Sequence, residues 1–408
     1  MKADELLKES GQLSEIILKE RRTLHKNPET GFDLKNTVSF VKKELSDMGL
    51  TPVDCGRAGI TALVGGKKKG KTFLLRADMD ALPIKEQSDV EFASQNGNMH
   101  ACGHDMHTSM LLGAARLLKA HENEIDGTVK LMFQPAEEIF EGSQDMINSG
   151  LLDNPRVDAA LMIHVMAGMP FEAGTVIVSP AGVSAPAADY FEIKISGKGC
   201  HGSMPNMGVD PITVAAHTLI NLQEINAREL SINDRAVLTI GKINAGTASN
   251  AIPDTAIMGG SLRTYEEETR GFIKERIADM VQATAKAFRA EAEVTYGSGC
   301  PTLVNDADMC QCADKYVKEL LGNDRAFSAA DLAKLSAGGQ SSKSAGSEDF
   351  AYVSHKVPSV MLALASGQAE KGYRYPQHHP MVKFDESVLP VGSAVYAYTA
   401  LRWLEDNK

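Results

Sequence analysis

Hydrophobic and polar positions fall into two regimes along this chain. Through residue 184, strand-like and helix-like stretches alternate. T-F-L-L-R-A (72–77), T-V-K-L-M-F (128–133) and A-A-L-M-I-H-V (159–165) are nearly continuous apolar runs, as strands buried on both faces of a parallel sheet require. V-P-S-V-M-L-A-L (357–364) is a fourth run of this kind. The middle of the chain has a different texture. D-Y-F-E-I-K-I-S (189–196) alternates like a half-exposed strand. A helical stretch follows over 211–229, then A-V-L-T-I-G-K-I and A-I-M-G-G-S-L-R, a second helix over 266–290, and E-A-E-V-T-Y.

These patterns predict an α/β fold. A mostly parallel-sheet domain is expected from residues 1–185 and 299–408, interrupted by a ferredoxin-like βαββαβ domain at 186–298. The length agrees, since 408 residues exceed one ordinary core.

Composition adds exclusions. With 43% hydrophobic and 23% charged residues, the chain has the make-up of a soluble globular protein. A net charge of −11 disfavours nucleic acid as a partner. No apolar run approaches a membrane span. The N-terminal M-K-A-D-E-L-L-K-E-S carries charges where a signal peptide needs an apolar block, so a cytoplasmic protein is expected. Six scattered cysteines do not make a disulfide framework. C-Q-C at 310–312 falls in a predicted helix, where residues two apart point to different sides. K-K-K-G-K at 67–71 reads as a solvated turn.

Candidate chemistry collects where the apolar runs stop. The first run ends in Asp78 and Asp80, the second in Glu137 and Glu138, the third in His164, and Cys102, His104, Asp105 and His107 open the helix between the first two. Ligands of open α/β sheets bind at the carboxyl ends of the strands. Each residue alone has an ordinary explanation: a helix cap or turn, a solvated first helical turn, a core histidine. Together they do not, because adjacent glutamates at a buried strand end repel without a cation. A metal centre accounts for all of them. Thiolate, imidazole and carboxylate suit zinc, manganese, cobalt or nickel better than magnesium or calcium, and the donors outnumber those of one catalytic zinc, which argues for two ions. A carboxylate not committed to metal could act as general base. A cysteine amidase using Cys102 with His104 or His107 gives Glu137, Glu138 and His164 no task. A metal-dependent binding protein on the same scaffold gives the candidate base none.

R-A-D-M-D-A-L-P, M-H-A-C-G-H-D-M-H, F-Q-P-A-E-E, G-K-G-C-H-G-S-M-P, A-S-N-A-I-P-D and G-S-E-D-F occur in that order. In these motifs the chain resembles, over essentially its whole length, the amidohydrolase branch of the dinuclear metallopeptidases, which includes aminoacylases, hippurate hydrolases and auxin-conjugate hydrolases. The resemblance implies two divalent ions held by Cys102, His104, Glu138, His164 and His378, with His379 the alternative for the last place. It implies Glu137 as general base, Asp80 as the carboxylate that orients a ligand, and His201 as the donor to the oxyanion. Asn250 and Arg263 become candidates for holding the substrate's amide oxygen or carboxylate. Spacing nominates His107 beside His104, but the resemblance gives it no ligand role, and it leaves Asp78 without one. The implied reaction is hydrolysis of an N-acyl amino acid, with dipeptidase or carboxypeptidase action, or deacetylation of acetyl-diaminopimelate, as the alternatives. Manganese and zinc are favoured over cobalt and nickel. The exposed sheet edge of the inserted domain predicts a homodimer, and the Gly/Ser-rich stretch 336–350, leading to Glu348, predicts a mobile loop beside the substrate.

Overall fold

The computed structural model describes residues 2–335 and 346–408, so most of the predicted Gly/Ser-rich loop lies outside the described residues. The chain divides into two compact units. One comprises the described residues up to Ser184, those from Val304, and Asp349–Lys408; the other comprises Ala185–Leu303 and the short stretch ending at Glu348.

The first unit is built on an eight-stranded sheet in the order 53–55, 59–65, 128–134, 72–78, 159–166, 359–365, 176–178, 326–327. Its four central strands, Thr128–Gln134, Thr72–Asp78, Ala159–Met166 and Ser359–Ala365, are mutually parallel and largely buried. They are the four apolar runs of the sequence. The flanking strands Gly59–Gly65 and Val176–Val178 run antiparallel to the centre, a departure that apolar runs do not encode, because strand direction depends on the connection and not on side-chain polarity.

Helix His104–Ala120 is apolar on nearly every side, M-L-L-G-A-A-R-L-L, and almost all of it is buried, as a helix without a polar face must be. It packs against helices Ser14–Lys26 and Leu389–Asp406. Trp403 of the latter meets Phe73 with ring centroids 5.0 Å apart. Burying each such aromatic contributes about 1.5–3 kcal/mol or more.

At its carboxyl edge the sheet splits. The ladder between Thr72–Asp78 and Ala159–Met166 stops at the pair Arg76–Met162. Beyond it, the hydroxyl of Tyr396 takes the place of a strand: it accepts from the Ile163 amide at 3.0 Å and donates to the Arg76 carbonyl at 2.7 Å. Past this plug the first strand ends at Asp78 and the second carries His164, two residues before its own end at Met166.

The second unit follows the order strand Ala187–Ser196, helix Pro211–Glu224, strands Ala236–Ala245 and Thr255–Thr264, helix Glu267–Ala287, strand Glu291–Cys300. Its antiparallel sheet is ordered 236–245, 255–264, 187–196, 291–300, the ferredoxin-like arrangement. Alternation in Ala187–Ser196 puts Phe191, Ile193 and Ile195 in a core with Val214, Ile273 and Ile277. Asp210 caps the first helix through the Ile212 amide, with Pro211 at its first position, where a missing N–H costs nothing. No helix among the described residues is long and apolar enough to cross a membrane.

Candidate metal centre

All the acidic, imidazole and thiol groups singled out at the strand ends belong to the first unit. Cys102, His104 and His164 offer ligand atoms within 4.8 Å of one another, as do Cys102, Glu138 and His378, and His104, Glu137 and Glu138. The local chain explains how they converge. Gly103 sits between Cys102 and His104 with φ +91°, and a Cβ there would lie 2.5 Å from Val165 Cγ2. Only glycine lets the chain turn so tightly against the His164 strand. On the other side, the P-A-E-E turn bends at Ala136, whose φ is +54°. Asp80 fixes that turn: its Oδ1 accepts from the Glu137 amide at 3.0 Å and its Oδ2 from the Glu138 amide at 3.2 Å.

The imidazoles are oriented alike. His104 donates from Nδ1 to the Asp80 carbonyl at 2.9 Å, and His164 from Nδ1 to the Val165 carbonyl at 2.7 Å. A carbonyl only accepts, so in the neutral ring Nε2 is the nitrogen left with a lone pair at both residues. His164 Nε2 points at Cys102 Sγ, 3.5 Å away. His104 Nε2 lies 3.8 Å from Glu138 Oε1 and 3.9 Å from Glu137 Oε2. The Nε2 of His104 and the Oε1 of Glu138 are buried and have no hydrogen-bond partner among the described residues. Buried polar atoms are rarely left so, and a lone pair and a carboxylate oxygen aimed into one space fit a divalent cation. The donors, one thiol, imidazoles and carboxylates, fit a pair of such ions.

Electrostatics of the bare protein point the same way. Burial, reinforced by Glu138, pushes the Cys102 thiol well up. Burial raises Glu138 to about 7 against the pull of His104, with Asp80 and Asp78 adding to the rise. Burial also lowers His378, helped by His104 and His164. Close-packed carboxylates and a protonated thiol are the signature of a site that expects positive charge.

His378 and His379 part company. His378 has φ +66°, its amide donates to the Ala101 carbonyl at 2.9 Å, and its Nε2 comes to 3.4 Å from Glu138 Oε2. The ring of His379 instead stacks on Tyr375 with centroids 4.4 Å apart and accepts the Met381 amide at Nδ1. His107, nominated by spacing, has both nitrogens engaged elsewhere: Nδ1 meets Asp78 Oδ1 at 2.6 Å and Nε2 accepts the Val165 amide at 2.9 Å. Burial lowers its pKa to about 4, so the ring is neutral.

Beneath these groups lies a network that the strand-end pattern does not announce. Arg76, fully buried, binds Asp78 at 2.7 Å, Asp349 at 3.3 Å and Gln134 at 2.9 Å. Asp349 also accepts from Gln134 Nε2 and the Ser143 amide. An arginine inside the apolar run 72–77 is the one signal of it in the sequence, since a buried guanidinium demands carboxylates.

In the second unit, His201 and Asn250 are neighbours: His201 pairs with Ala251 across two short strands, and the Gly202 amide donates to the Asn250 carbonyl at 2.7 Å. His201 is exposed, with Nδ1 2.8 Å from Ser203 Oγ. Arg263 lies on strand Thr255–Thr264 and donates to Tyr190 Oη at 2.9 Å and to Ser347 Oγ.

Residues 74–402 match peptidase family M20/M25/M40. The chain belongs to this family. An IAA-amino acid hydrolase of Arabidopsis thaliana is 35% identical over 98% of this chain and 87% of its own length. An N-acetyl-L-cysteine deacetylase of Bacillus subtilis is 35% identical over 95% of this chain and 88% of its own. Among solved structures, a dinuclear metal binding peptidase of this M20 family from Bacillus subtilis superposes with TM-score 0.77 at 31% identity, covering 97% of this chain and 99% of that one. This M20 chain is therefore a hydrolase of carbon–nitrogen amide bonds, and its cluster of thiol, imidazole and carboxylate donors fits a two-metal centre.

Proposed function

We propose that the chain hydrolyses N-acyl amino acids to a carboxylic acid and a free amino acid. The observation that carries this reading is the buried, unpartnered pair His104 Nε2 and Glu138 Oε1, 3.8 Å apart beside Glu137. Cys102, His104, Glu138, His164 and His378 would hold two divalent ions, manganese or zinc before cobalt or nickel. Bound there, such ions supply Lewis acidity toward an amide carbonyl and toward water. Glu137 is the general base: its carboxylate takes a proton from the attacking water and delivers it to the leaving nitrogen as the C–N bond breaks. Asp80 keeps Glu137 and Glu138 in place by accepting both their amides. His201 serves as the donor to the oxyanion. Asn250 holds the amide oxygen and Arg263 the substrate carboxylate, for which a guanidinium fork is suited.

Carboxypeptidase or dipeptidase action is the second reading, favoured by a carboxypeptidase of Saccharolobus solfataricus that is 34% identical over 96% of this chain. A cytoplasmic homodimer is the expected form. The outer strand Ala236–Ala245, which leaves Val237 and Ile243 exposed, supports the dimer, because an unpaired apolar edge invites a second strand.

The test is a panel of N-acyl amino acids, acetyl-diaminopimelate and dipeptides, assayed after chelation and again after adding back manganese, zinc, cobalt or nickel. Activity on acyl amino acids that vanishes and returns with metal is the expected result. Preference for dipeptides would replace the first reading by the second. Activity indifferent to chelation and abolished by alkylation would make Cys102 a nucleophile and overturn both.

A further inference from the structure

His107 keeps no nitrogen for a metal, yet it is fully buried and lies against the ring of His164 with centroids 4.6 Å apart. Its place is a result of the interrupted ladder. Strand Thr72–Asp78 stops pairing with Ala159–Met166 at Arg76–Met162, so the Ile163 and Val165 amides have no strand to donate to on that side. Tyr396 satisfies the first, at 3.0 Å, and His107 Nε2 the second, at 2.9 Å. Because an amide can only donate, His107 Nε2 must be bare and Nδ1 must carry the proton. Nδ1 gives that proton's hydrogen bond to Asp78 Oδ1, while Asp78 Oδ2 is held by Arg76. The Thr108 hydroxyl closes the array by donating to the Asp78 carbonyl at 2.7 Å.

We propose that the relay Arg76–Asp78–His107 is a positioning device for His164: it clamps the amide of Val165 and thereby sets where the imidazole one residue earlier presents its Nε2. His107 is a positioning residue and not a ligand. The inference rests on the reading of His164 as a metal donor. Outer partners that fix a ligand in this way typically change metal affinity by 10–100-fold when removed.

The test uses cobalt(II) titrated into the metal-free full-length chain, in competition with a chelator, with thiolate-to-cobalt absorption as the readout. The two amides separate the two ends of the ring. In His107→Gln the carboxamide oxygen can still accept the Val165 amide; in His107→Asn the shorter side chain can still donate to Asp78 but cannot reach Val165. The expected result is two cobalt ions per wild-type chain, affinity lowered about 10–100-fold in His107→Asn, and affinity largely restored in His107→Gln. Equal affinities in wild type and His107→Asn would overturn the positioning role. Loss of one whole cobalt equivalent in both variants would make His107 a ligand and overturn it as well. A wild-type chain that binds no cobalt would instead overturn the metal reading itself. Should His107→Asn not fold, nitrogen NMR of the metal-free wild type with labelled histidine decides: a ring protonated at Nδ1 and bare at Nε2 is required, and the opposite tautomer refutes the relay.

Discussion

Glu137 and Glu138 are adjacent in sequence and differ in surroundings. Glu138 groups with Cys102 and His378 as well as with His104, whereas Glu137 groups with His104 and Glu138 and, in a separate cluster, with Asp349, and with neither Cys102 nor His378. That difference supports one as donor and the other as proton carrier. Glu137→Gln is expected to keep two metal equivalents and to lower kcat by about 10²–10⁴, measured by steady-state kinetics beside metal analysis; undiminished turnover would remove the base from the scheme. The pair was legible in the sequence because two carboxylates at the end of an apolar run have no cheap explanation. Which of two neighbouring histidines turns toward Glu138 was not. That depends on the left-handed backbone at His378 and on the Met381 amide that engages His379. The uses of Asp78 and His107 were hidden for a related reason. Spacing of three along a helix says that His104 and His107 share a face, but not which atom each nitrogen meets.

Elements place these residues, and their junctions are where small changes cost most. Gly103 links Cys102 to helix His104–Ala120 in a left-handed conformation that side chains rarely adopt. Gly103→Ala is expected to destabilise the first unit by about 1–3 kcal/mol from backbone strain, with further loss from the clash with Val165, and to weaken metal binding; denaturant midpoints and a cobalt titration would measure the two effects. A second consequence belongs to the packing of helix Ser14–Lys26 on His104–Ala120. Glu20 is buried and shares Arg116 with Glu44. Burial raises its pKa to about 8, against the pull of Arg116. Since this value exceeds that of the unfolded chain, near 4.3, the folded state binds the extra proton. Stability from this group is present below about pH 4.3 and is lost as pH rises through about 8. Glu20→Gln is therefore expected to flatten the fall in melting temperature between about pH 5 and 8; an unchanged slope would show that Glu20 is not its source. Central strands were readable from continuous apolar runs. The direction of the antiparallel flanks was not: Gly59–Gly65 and Val176–Val178 are largely buried as well, but burial does not encode strand direction, which depends on the connection.

For the molecule as a whole, the change from continuous to alternating apolar pattern near residue 186 is what betrayed a second unit of different layer structure. Long-range pairings stayed invisible: Arg76 meets Asp349 from the far side of the inserted sequence, and nothing local marks either as the other's partner. The same dispersal leads us to expect that stability depends on metal. An ion that binds only the folded arrangement adds about 2.7 kcal/mol at a hundredfold excess over its Kd. Calorimetry should show the main transition moving down after exhaustive chelation and back up on addition of manganese or zinc. A transition that ignores metal would mean that the clustered donors bind none.

The insertion between Ser184 and Val304 also has a meaning in time. The pocket gathers Cys102 and His378, and at about 5–20 residues synthesised per second the thiol leaves the ribosome roughly a quarter of a minute to a minute before the last imidazole. During that interval the nascent chain carries a nucleophilic sulfur without its complete set of neighbours. Safe biosynthesis then depends on the surroundings keeping that sulfur reduced until the segment of His378, whose amide donates to the Ala101 carbonyl, takes its place beside it.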